Sequence, residues 1–227
     1  MKKTISLFLA LALALSLAAC GGQTAQSPAP TPTAVPESPA AEAHYPVTIT
    51  SYNENGETYT QTFDQCPERV VSISQANTEL LLALGLRDKI IATAHRFSPV
   101  YEPLAEEYNS IPFIAEKGYP AKEVVLDQEP DMIVGWGSLF AEDALGPVSE
   151  WNDRGVGTYL MNNTVSGLGN RTVEFLYDDI ETLGQIFDVE DAAQAMIDDM
   201  KARIAAIGEK ISALPDEQRV RVVTVQY

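Results

Sequence analysis

The side chains of this sequence that could do chemistry fall in short loops, each directly after an apolar run: Ser74 and Gln75, then His95, Arg96 and Phe97, then Trp136 and Ser138, then Asn162 and Asn163. Arg96 offers a planar five-donor fork suited to carboxylate, hydroxamate or catecholate oxygens; its other use is a surface ion pair. Trp136 stands between Gly135 and Gly137, where the backbone is free to present a large ring to a ligand plane, unless the ring packs on its own domain. His95 carries an imidazole, yet a lone histidine at a strand end more often makes hydrogen bonds than ligates a metal. Tyr119, in Lys117-Gly118-Tyr119-Pro120, either lines the same cleft or steadies a turn. Catalytic patterns are missing: there is no Gly-x-Ser-x-Gly and no His-Glu-x-x-His, and Gly155-Val156-Gly157 lacks a third glycine and precedes a strand. These groups suit holding a ligand rather than converting it. No enzyme activity, resident cofactor or metal site is expected from them.

The elements that must position these loops can be read from apolar patterning. Val70-Val71-Ser72-Ile73, Ile90 to Ala94, Met132-Ile133-Val134 and Gly157 to Met161 are short and nearly continuous in apolar residues, as strands buried on both faces require. A helix runs between the first two through Glu79-Leu80-Leu81-Leu82-Ala83-Leu84 and stops at Gly85, with Ser74 and Asn77 as candidate caps. Helical patches at Ala121 to Leu126 and Val148 to Arg154 separate the others. The fold class is therefore α/β, a parallel sheet flanked by helices, with ligand loops at the carboxyl ends of its strands. Ahead of the sheet, Tyr45 to Thr50 and Thr58 to Phe63 flank Asn55-Gly56 and read as a hairpin. Behind it lie two long amphipathic helices. Val173, Leu176, Ile180, Leu183 and Phe187 form one stripe; Ala193, Met196, Met200, Ile204, Ile207, Ile211 and Leu214 form the other, with a break between Asp188 and Asp191 and a stop at Pro215. A further strand is expected over Val220 to Tyr227.

The first 19 residues read as an export signal, with Lys2 and Lys3 before an apolar run from Ile5 to Leu17. Leu17-Ala18-Ala19-Cys20 resembles the lipobox of bacterial lipoproteins, in which the sulfur is acylated and the preceding peptide removed. Cys20 would be the first mature residue and the lipidation site. Residues 20–44, rich in Pro, Ala and Thr and without an aromatic until Tyr45, cannot bury enough apolar surface to fold and read as a tether. The formal net charge of −17 becomes −19 once the two signal lysines are removed. Such a surface repels phosphate backbones and anionic headgroups, which leaves nucleic acid a poor partner and the lipid the only membrane contact. With Cys20 acylated, Cys66 has no intrachain disulfide partner. Two histidines, His44 and His95, are too few for a His-rich metal site.

Pro67-Glu68-Arg69-Val70-Val71-Ser72-Ile73-Ser74, then Thr78-Glu79-Leu80-Leu81-Leu82-Ala83-Leu84-Gly85-Leu86, then Glu129-Pro130-Asp131-Met132-Ile133-Val134, closely resemble in order and spacing the iron-siderophore and cobalamin class of ABC-transporter substrate-binding proteins. The resemblance implies a bilobed α/β receptor that holds an iron chelate, haem or cobalamin between lobes and delivers it to a membrane permease and, through it, an ATPase. It implies a monomer. Residues 45–171 would be the N-terminal ligand-binding lobe, 172–214 the helical spine between lobes, and 215–227 the first strand of a second lobe that is otherwise missing, so the sequence is expected to be a fragment. Glu79 matches the family's glutamate that docks on permease arginines. Two rivals stand beside this reading: a lipid-anchored surface module for a protein or polysaccharide, and a lipid-anchored hydrolase.

Overall fold

A computed structural model describes residues 43–115 and 118–218, with Val220 and Val223. The export signal, Cys20, nearly all of the tether, Lys117 and most of the strand expected from Val220 lie outside the described residues.

A two-stranded antiparallel hairpin comes first, β1 (Val47–Tyr52) and β2 (Thr58–Phe63), paired from Val47 with Phe63 to Tyr52 with Thr58. Its loop is longer than a two-residue turn. The Asn53 carboxamide oxygen accepts from the amides of Asn55 (3.0 Å) and Glu57 (2.9 Å), and Gly56 takes the positive φ of 80°. Then strand and helix alternate: β3 (Val70–Ile73), α1 (Gln75–Ala83), β4 (Ile90–Ala94), α2 (Ala105–Asn109), β5 (Phe113–Ala115), α3 (Lys122–Leu126), β6 (Met132–Gly135), α4 (Val148–Asn152) and β7 (Gly157–Leu160). The five later strands make one all-parallel sheet in the order β5-β4-β3-β6-β7. Winding runs outward from β3 to β5 on one side, then returns to β6 and β7 on the other. Such reversals leave a crevice at the carboxyl ends of the two central strands, here β3 and β6.

Alternate residues of each strand serve opposite faces. Val70, Met132, Val134 and Tyr159 enter one core with Leu81 and Leu82 of α1, whereas Val71, Ile73, Ile133 and Leu160 enter the other with Val125, Leu139 and Trp151. Two long helices follow, α5 (Val173–Phe187) and α6 (Glu190–Ser212), separated by Asp188 in the left-handed conformation (φ 57°). The stripe of α5 is buried as its period predicts, with Ile180, Leu183 and Phe187 in the first core. On α6 the cover stops early. Ala193 and Ile197 are buried, but Ile204, Ile207 and Ile211 are each about half exposed. No helix among the described residues is long and apolar enough to cross a membrane.

Two local expectations are corrected. Ser74 occupies the position before α1, yet its hydroxyl caps nothing and its φ is 103°. Asn77 is not a cap, because it lies inside the first turn, where its amide donates back to the Ile73 carbonyl at 3.0 Å. What holds the start of α1 is a buried hydroxyl network: Thr78 Oγ1 lies 2.9 Å from Ser72 Oγ and 2.8 Å from Thr93 Oγ1, and donates to the Ser74 carbonyl. All three side chains are fully buried, and the Ser72 and Thr93 hydroxyls depend on Thr78 for a partner.

Candidate functional site: the carboxyl pole of the sheet

The strand order brings the loops after β3, β4 and β6 side by side. Backbone bonds lace the first two together: Ser74 N donates to the Ala94 carbonyl (3.1 Å) and Gln75 N to the His95 carbonyl (3.2 Å). His95, like Ser74, has a positive φ (60°). Two non-glycine residues with positive φ thus stand at adjacent strand ends, a backbone conformation uncommon for residues with a side chain.

Around them four rings converge. The His95 imidazole centre lies 5.8 Å from Phe97, 5.5 Å from Tyr119 and 5.7 Å from Trp136, and Phe97 lies 6.1 Å from Trp136. Phe97 is 56% exposed and the other three are half-buried, so the group presents aromatic surface to solvent instead of sealing itself. Tyr119 Oη and Ser138 Oγ are hydrogen-bonded at 2.7 Å on its rim. Two buried polar atoms at these strand ends have no hydrogen-bond partner, Ser74 Oγ and, within the ring group itself, His95 Nδ1. A buried orphan polar atom costs about 1–3 kcal/mol, a cost that a ligand or water contact would remove.

The glycines beside Trp136 are required by close packing. A Cβ on Gly137 would stand 2.9 Å from the Thr164 carbonyl oxygen, and one on Gly135 would overlap Leu139. Gly137 N also donates to Thr164 Oγ1 at 2.9 Å, which draws the loop after β7 against the loop after β6. Trp136 is thus held from both sides. Trp151, in contrast, is fully buried and donates its indole N–H to the Leu145 carbonyl.

Several expected ligand residues act as positioners in this structure. Gln75 is 2% exposed, and its carboxamide is consumed: the oxygen accepts from Phe97 N, Ser98 N and Ser98 Oγ, while the nitrogen donates to Glu79 Oε1 (2.8 Å) and the Pro99 carbonyl. It clamps the loop that carries His95 and Phe97. Glu79, half-buried, also accepts from Tyr101 N at 3.1 Å. Asn163 spends its amide on both backbone groups of Thr172, where α5 begins. Arg96 is exposed and places its guanidinium 5.0 Å from the ring centre of Phe113 on edge strand β5. Asn162 contributes its backbone, donating to Asp179 Oδ1 at 3.0 Å.

Asp179, which sequence reasoning passed over, is the buried carboxylate of this pole among the described residues. It reaches from α5, is 1% exposed, and also accepts from Tyr159 Oη at 2.9 Å. Burial pushes its pKa up to about 7, against the two hydrogen bonds that favour the anion. Its place four residues before Leu183 in a buried stripe gave no signal beyond an acid on an apolar face.

Comparison with known proteins agrees with this geometry. The family model for periplasmic binding proteins matches residues 70–226. An uncharacterized ABC transporter substrate-binding lipoprotein of Bacillus subtilis, YvrC, is 26% identical over 179 residues, 78% of this chain and 51% of the relative. A periplasmic binding protein from Veillonella parvula superposes with a TM-score of 0.70 at 30% identity, covering 76% of this chain and 55% of that one. An ABC-type Fe3+-hydroxamate transport protein from Saccharomonospora viridis does so at 0.62 and 25% identity, covering 74% and 58%. The chain spans about half the length of these relatives. The matched region opens on the first residue of β3 and takes in the whole parallel sheet and both long helices, and on that evidence the chain belongs to the periplasmic binding protein family.

Proposed function

We propose that this chain supplies one ligand-binding lobe of an extracytoplasmic receptor for an ABC importer, and that the receptor captures a metal-organic ligand such as a ferric chelate, haem or cobalamin. The observation that carries the reading is the open aromatic group of His95, Phe97, Tyr119 and Trp136, together with the unpartnered Ser74 hydroxyl and His95 nitrogen, at the carboxyl ends of β3, β4 and β6. Flat aromatic surface and polar donors suit a ligand that is largely apolar in area and polar at a few points. The Saccharomonospora viridis relative, named for Fe3+-hydroxamate transport, and a haem-binding relative from Vibrio cholerae at 26% identity favour this ligand class. Residues 45–171 would form the lobe and 172–214 the spine to a second lobe. Cys20 would carry the lipid, with residues 20–44 as tether, a reading favoured by the lipobox-like Leu17-Ala18-Ala19-Cys20 and by the lipoprotein relative from Bacillus subtilis.

Delivery requires a docking contact with the permease, and Glu79 is the residue proposed for it. Its Oε1 is engaged by Gln75 and Tyr101, which fixes the carboxylate at the surface edge of α1. Charge reversal at Glu79 should depress uptake while ligand affinity stays unchanged.

The test uses intrinsic fluorescence of the complete gene product. Titration with a ferric hydroxamate, haem and cobalamin should give saturable quenching by one of them, and Trp136→Phe should remove most of that response, since Trp151 is shielded. Quenching unchanged in Trp136→Phe, or none by any of the three, would refute the assignment.

A further inference from the structure

Far along the chain from these loops, three metal-ligating side chains meet where the segment entering the domain touches the turn between α5 and α6. His44 Nδ1 lies 3.3 Å from Asp188 Oδ1 and 3.5 Å from Glu190 Oε1, and the three donor atoms lie within 4.8 Å of one another. The other ring nitrogen, Nε2, is 2.7 Å from the Gln185 carbonyl oxygen. A carbonyl can only accept, so Nε2 carries hydrogen. With Nε2 spent on that carbonyl, Nδ1 is the ring atom that faces the two carboxylate oxygens, so one nitrogen and two oxygens of metal-ligating type converge on one spot. An N–H to backbone carbonyl bond on the far side of the ring is also how proteins orient a metal-bound histidine.

The spacing discriminates among cations. Ligands at roughly 2.0–2.2 Å from a tetrahedral zinc stand about 3.4 Å apart, and the two separations from His44 Nδ1, 3.3 and 3.5 Å, match that value. Calcium wants six or more oxygens at longer range, and magnesium keeps most of its water, so a single imidazole with two carboxylates suits neither. Asp188 can share the site with Glu190 because its left-handed backbone turns the chain between helices. The side chains of Asp188 and Glu190 are 59% and 47% exposed, leaving a fourth position open to water.

We infer that His44, Asp188 and Glu190 form a zinc site that staples the entry of the domain to the turn between its two long helices. The ion would cross-link two segments more than 140 residues apart in sequence. This inference does not depend on the transport reading.

Calorimetric titration of the chelator-stripped chain with zinc chloride in excess magnesium tests it, with magnesium occupying sites made of carboxylates alone. The expected result is one zinc per chain in the micromolar range, a raised melting temperature, and an X-ray absorption edge showing one imidazole and no sulfur. His44→Ala and Glu190→Gln should each weaken binding at least tenfold, whereas His95→Ala, which removes the only other imidazole, should not. Glu190 is half exposed, so its amide variant preserves the fold and keeps the test decisive. No stoichiometric zinc, or zinc held equally by His44→Ala and Glu190→Gln, would overturn the site and leave the three groups as an ion pair of protonated histidine.

Discussion

The two ends of the parallel sheet are built on opposite rules. At the amino end the strong polar groups between β3 and β6 are spent on backbone: Asp131 accepts from the amides of Glu68 (2.7 Å) and Arg69 (2.9 Å), and the Arg69 guanidinium donates to the carbonyls of Gln128 and Glu129. Those bonds fix the entries of β3 and β6 at the same height. At the carboxyl end, Ser74 Oγ and His95 Nδ1 are buried without partners, two residues hold positive φ, a carboxyl is buried, and aromatic rings face solvent. Burying polar groups unsatisfied is costly, and a fold that has satisfied them at one end has the means to do so at the other. The asymmetry is the ground for placing the proposed site at the carboxyl end, by energetics instead of by cavity size. A depression of about 570 Å³ lies at the amino end, between β2, Asp131 and Gly157, where the Asp131 carboxylate is already paired with two amides.

Mutation can break this contrast at several points. The largest effect is expected from Asp179. Its folded-state pKa of about 7 stands above the ordinary 3.8, so between those values the folded chain binds a proton that the unfolded chain has released. Stability from this group is therefore greatest below about pH 4, falls as pH rises to about 7, and is level beyond that. Asp179→Asn should remove the slope and stabilise the protein at alkaline pH by an amount on the order of 3 kcal/mol, read from urea melts at several pH values. Next comes Thr78→Val. It leaves the Ser72 and Thr93 hydroxyls buried with fewer partners and should cost about 2 kcal/mol. Asp131→Ala should cost about 1–2 kcal/mol by freeing two amides that water can partly serve. The smallest effect belongs to Ser74→Ala. Its hydroxyl has no partner to lose, so the melting free energy should change by less than about 0.5 kcal/mol, and affinity for the ligand should be the property that falls.

Much of this architecture was legible in the residues. Apolar runs marked β3, β4, β6 and β7, and a period of three to four marked both long helices and the break at Asp188. The same patterning did not reveal β5 or α2, which have three and five residues and are too short to show a period. Periodicity also names the face of a helix that wants cover without saying how far the cover extends, which is why Ile204 and Ile207 share a stripe with Ala193 but not its burial. At the site, the loops after β3, β4 and β6 could be named because ligands collect beyond strand ends. Which of them touch depends on the order β5-β4-β3-β6-β7, and no local pattern encodes that order. The role of Gln75 as a clamp and the convergence of Phe97 with Trp136 depend on that order, whereas Asn163 bonds Thr172 within its own loop. The place of His44 was obscured by its flanks. It ends a stretch that composition assigns to the tether, whereas its imidazole is docked on Gln185.

The contrast between the two ends is tested most directly by the dissociation constant of whichever ferric hydroxamate, haem or cobalamin probe the complete gene product binds. The measurement compares Trp136→Ala at the carboxyl end with Asp131→Asn at the amino end. Trp136→Ala should weaken binding at least tenfold, because it removes the largest ring presented to the ligand, while Asp131→Asn should lower the melting temperature and leave affinity as it was. Affinity lost with Asp131→Asn and kept with Trp136→Ala would place the ligand at the wrong end of the sheet for this account and contradict it.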